Sequence, residues 1–310
     1  MKNKSVDLVY VVGTGSQWND NELRFSLRSV EKNLSGTGKI FIVGHLPDFV
    51  KSIVYIPAKD IFEPGKNADG NMIHKLLIAC NDKRLSNNFL FMNDDFIINR
   101  PNSAAAVPTL HKGDMALQPD SYWKTQFYRF RLKRTFDVLK ERGLPTIQYD
   151  YHAPMLMNKK LFIDIMAGFD YAKDIGYTFR SIYGNSLKLH ALPVIGQKIT
   201  IFKYFKLDEI KFKTMDINFV GYNDQGLNQS LKYWLIEQFP EKCKYENTEP
   251  QDRITDTFLW FKNGMQYREG VAIFKKYYKH KNLILMFESM ESDKLKAKLK
   301  YKLSRSISDL

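Results

Sequence analysis

The most constraining feature of this chain is a set of short, almost uninterrupted apolar runs separated by amphipathic segments. VDLVYVVGTG (6–15), KIFIVGHLP (39–47), IVYIPA (53–58) and FLFMNDDFII (89–98) lack the strict in–out alternation of a strand with one wet face. Strands covered on both faces read this way, and parallel sheets are covered on both faces by their crossover helices. Two helical patterns lie between the runs, NDNELRFSLRSVEKNL (19–34) and GNMIHKLLIACNDKRL (70–85). In the first, Leu23, Leu27, Val30 and Leu34 share one face and Arg24, Arg28 and Glu31 the other, with Asn19 or Asn21 as the expected cap. The order strand, helix, strand, strand, helix, strand predicts an α/β fold with a Rossmann-like, mostly parallel sheet flanked by helices.

The last of these runs carries an anomaly. Seven of the ten residues of FLFMNDDFII are apolar, yet Asp94 and Asp95 sit in its middle behind Asn93. Read as a fourth strand, it brings the pair near the carboxyl edge of a parallel sheet, where ligands bind. Neighbouring strand residues point to opposite faces, so both carboxylates converge on one site only where the strand ends or bulges. A hard divalent cation such as Mn²⁺ or Mg²⁺ takes carboxylate oxygens and leaves positions open for phosphate. A surface turn or helix cap would explain NDD without a ligand, but apolar runs on both sides argue against a solvated loop.

Charge narrows the class of partner. The 310 residues carry a formal net charge of +13, which suits an anionic partner: nucleic acid, a phosphorylated polymer, a nucleotide donor or an anionic membrane surface. Part of the excess lies in SDKLKAKLKYKLSRS (292–306), which has six Lys and Arg residues and an apolar stripe of Leu295, Leu299 and Leu303. That tail reads as a solvated terminal helix, or as a peripheral membrane or nucleic-acid contact. In SYWKTQFYRFRLKRTFDVLKERG (121–143) basic and aromatic residues interleave, as in surfaces that bind single-stranded nucleic acid. No apolar run is long enough for a transmembrane helix. The start, MKNKSVDLVYVV, is too short in its apolar part for a signal peptide and reads as a first strand. Two cysteines, Cys80 and Cys243, make no disulfide framework and no metal pattern, which favours a reducing, cytoplasmic setting. Residues 1–250 read as one catalytic domain with an irregular acceptor-side insertion about 99–150, and 251–310 as a helical C-terminal extension with the basic tail.

Several blocks together resemble the Stealth family of nucleotide-sugar-dependent transferases. NELRFSLRSVEKNL followed by KIFIVG is similar to its first region and FLFMNDD to its second, the most specific match. YHAPMLMNKKLF with a downstream TFRSIYGN is similar to the third region, and GYNDQGLNQSLKYWLIEQFPEKCKYE, with its Phe-Pro and final Glu, to the fourth. The family's aspartate at the end of the first strand is missing from VYVVGTGSQW. The close spacing fits a compact phage- or bacterium-type relative with a glycosyltransferase-A-like core, working in the cytoplasm of a bacterium or phage-infected host.

The resemblance implies roles for residues that are ambiguous alone. Gly13, Thr14 and Gly15 would let backbone N–H groups approach a donor nucleotide, although a tight turn reads the same way. Arg24 and Arg28 would hold a diphosphate with forked bonds, where charge alone suggests a solvated helix face. Asn93 would line the donor site. Asp94 and Asp95, joined by Asp224 beside Asn223, would hold the metal. His152, before Ala-Pro, would be the general base or a metal ligand, and Arg180 would stabilise phosphate charge. The implied reaction is glycosyl transfer from a nucleotide sugar to a hydroxyl, with a modified base in DNA or a surface polysaccharide as acceptor. Sugar-1-phosphate transfer for capsule or cell-wall polymers is the first alternative, and a non-enzymatic nucleic-acid-binding protein the second.

Overall fold

The computed structural model describes residues 5–16, 18–63, 66–124 and 127–247. The C-terminal extension (251–310) and its basic tail (292–306) lie outside the described residues. The described residues divide into two units, one of residues 5–200, 216–221 and 242–247, the other of 201–215 and 222–241.

In the first unit the expected apolar runs become the strands of a mostly parallel sheet. Strand β1 (Val6–Val12) is buried along its whole length. Its one charge, Asp7, accepts hydrogen bonds from Lys39 N, Ser86 N and Ser86 Oγ, so the buried carboxylate is fully met. Helix α1 (Asn21–Asn33) leads through the short β2 (Leu34–Ser35) to β3 (Thr37–Gly44), followed by β4 (Val54–Ile56). Helix α2 (Ala68–Asn81) then returns the chain to β5 (Asn88–Met92). Neither Asn19 nor Asn21 caps α1. Asp20 holds that position in the left-handed region at φ 58°, and the Ser16 hydroxyl accepts from the N–H groups of Trp18 and Asp20 while donating to Glu22.

The expected strand 89–98 is two strands. β5 ends at Met92, and residues 93–96 form a turn closed by Phe96 N donating to Asn93 O at 3.3 Å. β6 (Phe96–Ile98) then joins a different sheet. Asn and Asp favour turns because their short polar side chains satisfy the local backbone, and that preference overrides an apolar run that otherwise reads as continuous.

The remaining elements of the first unit start with β7 (Asn102–Ser103), which pairs with β2. β8 (Leu110–His111) pairs with a strand near residue 192. Helix α3 (Phe127–Glu141) follows, and then β9 (Met155–Asn158), a short strand directly before a helix. β9 runs antiparallel to β5 and completes the main sheet in the order β4-β3-β1-β5-β9. Helices α4 (Lys159–Ala167) and α5 (Phe179–Ser186) come next, then β10 (Leu192–Pro193), the partner of β8. β11 (Lys198–Ile201) and β12 (Phe219–Tyr222) form the second sheet with β6, in the order β11-β12-β6. β6 is antiparallel to β12, with Phe96 opposite Gly221.

The second unit contributes α6 (Leu207–Thr214) and α7 (Gln229–Gln238). α7 starts at Gln229, after a turn over residues 223–226. Asn228 caps it by accepting from Leu231 N, while Asn223 Oδ1 accepts from Gly226 N and holds residues 223–226 as a turn. Among the described residues no helix is long and apolar enough to cross a membrane.

Candidate active site

The main sheet positions the site. β1 runs through α1 to β3 on one side, and β5 pairs with the other side of β1. After β5 the chain leaves this sheet for β6, so the carboxyl ends of β1 and β5 lie side by side, and ligands of α/β folds bind in the crevice outside such strand ends. Tyr10 lies beside Met92, so the loop after β1 and the Asn93–Asp95 turn share this edge. Gly13, Thr14 and Gly15 lie exposed in that loop. The turn resolves the alternation problem, because β5 has ended before Asp94.

The two carboxyls resist ionising together. Burial, followed by the charges of Glu22 and Asp20, pushes Asp94 up to about 6. Burial and then Asp94 push Asp95 well above the ordinary carboxylate range, against the pull of Arg180 and Lys198. The turn therefore divides its surroundings, with Asp94 facing acidic side chains and Asp95 facing basic ones.

His152 stands on the basic side. Its Nε2 is 3.5 Å from Asp95 Oδ2, with side chains 35% and 19% exposed respectively. Its ring meets Phe96 edge-on at 5.2 Å. The backbone at His152 is left-handed, φ 56°, an uncommon state for a residue that is not glycine. Across from Phe96, Gly221 lets that backbone approach, because a Cβ there would stand 2.8 Å from His152 O. Burial, then Lys198, Arg180 and Lys112, hold the imidazole well below its usual range, so it is neutral at neutral pH.

Arg180, on α5, is 5% exposed. Its guanidinium lies over the rings of Phe91, Phe96 and Phe179 at 4.9, 5.2 and 5.4 Å. Five buried side-chain atoms here have no hydrogen-bond partner: Asn93 Oδ1, Asp95 Oδ1, His152 Nδ1, Arg180 Nε and Arg180 Nη2. Buried polar groups are almost always satisfied, and such a concentration marks a place built for something else to bind.

Lys198 and Gly221 belong to this neighbourhood although no local sequence pattern singles them out. Lys198 is buried, its Nζ donates to Thr200 Oγ1, and its Cε lies 3.7 Å from where a Gly221 Cβ would be. Burial, with Lys112 next, holds its ammonium well below the usual lysine range.

Other expected site residues stand elsewhere. Arg24 and Arg28 are not free to hold a donor diphosphate, because both pair with Glu246. Arg28 Nε and Nη2 reach its two oxygens at 2.6 and 2.8 Å, and Arg24 Nη1 adds a third contact while its guanidinium stacks on Phe49. Arg28 is only 3% exposed, so its helix face is buried where a solvated one was expected. Asp224 lies exposed in the 223–226 turn of the second unit. Within 121–143, Arg131, Arg134 and Lys133 pair with Asp69, Asp174 and Asp137, so much of that charge is answered locally. Among the described residues no group of three His, Cys, Asp or Glu side chains is placed to hold a metal ion.

No family model and no curated protein matches the chain. Solved structures do resemble it. The galactosyltransferase LgtC in complex with donor and acceptor sugar analogs is similar over 80% of this chain and 98% of its own, at 9% identity and TM-score 0.46. An active-site mutant of LgtC covers the same shares at 10% identity and TM-score 0.43. The apo-form glycosyltransferase GlyE of Streptococcus pneumoniae TIGR4 is similar over 85% of this chain and 64% of its own, at 13% identity and TM-score 0.37.

Proposed function

We propose that this chain transfers a sugar from a nucleotide-sugar donor to a hydroxyl acceptor, in a glycosyltransferase-A-like manner. The observation that carries the reading is the Asn93–Asp94–Asp95 turn at the crevice between β1 and β5, with unpartnered polar atoms of Asn93, Asp95, His152 and Arg180 around it. The unpartnered carboxyl and amide oxygens of Asp95 and Asn93 are the donor chemistry that a hard divalent cation, Mn²⁺ or Mg²⁺, takes. Asp95, with Asp94 beside it in the turn, would help to hold it; since no three such side chains are gathered among the described residues, most of the shell would come from substrate phosphates. Such a cation supplies Lewis-acid neutralisation of the leaving nucleotide. The chain's own groups do the rest. Arg180 offers two unpartnered N–H groups to phosphate oxygens, and neutral His152 accepts the proton of the attacking hydroxyl. Gly13, Thr14 and Gly15 leave the other side of the crevice open to a nucleotide.

DNA or a phosphorylated polymer as acceptor is supported by the charge of +13. The test is nucleotide release from UDP-, GDP- and CMP-sugars with Mn²⁺. Turnover is expected, and the double change Asp94→Asn, Asp95→Asn should lower it by a factor of about 10² or more while the far-UV spectrum is unchanged. Full activity in the double variant would remove both carboxylates from the reaction. From a UDP- or GDP-sugar, a nucleoside diphosphate product identifies glycosyl transfer and a monophosphate identifies sugar-1-phosphate transfer.

A further inference from the structure

Arg180 and Lys198 pose a problem that the donor reading does not solve by itself. Both are buried, at 5% and 9% exposure. Among the described residues neither has a carboxylate within ion-pair distance; Arg180 is bordered by three phenylalanine rings, and Lys198 Nζ meets only the Thr200 hydroxyl. A buried cation without an anion is costly, and removing its desolvation cost requires a partner. Asp95, a carboxyl that feels both charges, leaves its Oδ1 unpartnered, as Arg180 leaves its Nε and Nη2. The three groups are close but not joined.

The packing places both cations in the surroundings of His152. The Phe96 ring has the Arg180 guanidinium at 5.2 Å and the His152 ring at 5.2 Å. Opposite Phe96, Gly221 has no side chain, and the His152 Nδ1 and Lys198 Cε lie 3.6 and 3.7 Å from where its Cβ would be. A forked guanidinium and a point ammonium thus both border His152, whose Nδ1 has no partner. This set matches a tetrahedral oxyanion: the fork takes two oxygens and the ammonium a third.

We propose that Arg180 and Lys198 form a phosphate subsite that binds a phosphoryl group with no divalent cation present. The inference rests on the donor reading for its place in the reaction, but its chemistry is independent of that reading. The phosphate comes either from the donor's nucleoside diphosphate or from a phosphorylated acceptor.

The experiment is calorimetric titration of the full chain with inorganic pyrophosphate in excess EDTA, for the wild type, Arg180→Gln and Lys198→Met. Wild-type binding is expected, weakened by about tenfold or more in each variant, the effect of losing one charge-assisted bond. No binding in EDTA at millimolar pyrophosphate, or equal binding in both variants, overturns the subsite. If Arg180→Gln fails to fold, Lys198→Met alone decides. A nucleoside diphosphate that competes with pyrophosphate assigns the subsite to the donor, whereas independent binding of the two assigns it to the acceptor. Pyrophosphate binding without turnover of any nucleotide sugar leaves the subsite standing and removes the donor reading. Turnover without anion binding in EDTA does the reverse.

Discussion

Gly221 sets how near the His152 backbone comes to the carboxylate turn. Replacing it with alanine places a methyl 2.8 Å from a backbone oxygen, which side-chain rotation cannot relieve. His152 must then move while Asp95, on β5's exit turn, stays. A shift of this kind at a reacting group is expected to lower turnover of the Gly221→Ala variant about tenfold to a hundredfold. The measurement is kcat with a responsive nucleotide sugar beside thermal unfolding, and unchanged kcat would show that His152 needs no such placement. Residues of this kind are the ones a sequence hides. Asp94 and Asp95 stand out because charge interrupts an apolar run, whereas Gly221 and Lys198 acquire their surroundings only when β12 pairs with β6 and β11 falls in beside it.

At the scale of elements, α1 is fastened to the end of the first unit by one carboxylate. Glu246 accepts from Arg24, Arg28 and the backbone N–H of Cys243. The pair of arginines on one helix face was legible in sequence; their partner, more than two hundred residues away, was not, and a donor phosphate took its place in the expectation. Glu246→Gln would leave two arginines without their counter-charge and is expected to destabilise the first unit by about 3 kcal/mol, read by urea unfolding. Burial raises Glu246, but Arg28, Cys243 N and Arg24 outweigh it and the carboxyl sits below its ordinary 4.5. A lowered folded value means that this stabilisation is present above the unfolded carboxyl range and is lost as pH falls through the folded value. Wild type should therefore lose stability on acidification below about pH 4.5 more steeply than Glu246→Gln, and parallel curves would refute the assignment. The strands β1, β3, β4 and β5 were legible because both their faces are buried. β9 was not, since four residues ahead of a helix give too short a pattern to separate from it.

For the whole molecule, the charge of +13 remains the broadest clue to a partner. Internal pairing in 121–143 shifts the weight of that excess toward the rest of the chain, including 292–306. Cosedimentation with anionic vesicles is expected to fall as salt rises and to weaken when residues 292–310 are removed, while neutral vesicles should bind neither form. Binding that ignores both salt and truncation would count against the tail as a peripheral anchor. The α/β layering was readable from apolar runs and their order, because burial on both faces is a local property of a strand. Of the candidate site, Asp94 and Asp95 stood out by local pattern and His152 and Arg180 through the resemblance, whereas Lys198 and Gly221 did not, because the basic half is assembled from three separate stretches of the chain. That division has a consequence for how the molecule is made. The sheet of β1, β3 and β5 closes over modest separations, whereas the neighbours of β6 must find each other across long ones, as between Asn99 and Ile217, 118 residues apart. Loop closure of that length is slow to be repaid. A nascent chain would hold its central sheet while the Asp94–Asp95 turn still lacked a second wall, so pulse-labelled hydrogen exchange should protect Leu8–Val12 before Phe96–Ile98. The site around that turn would then be completed only after residues 198–221 have been made.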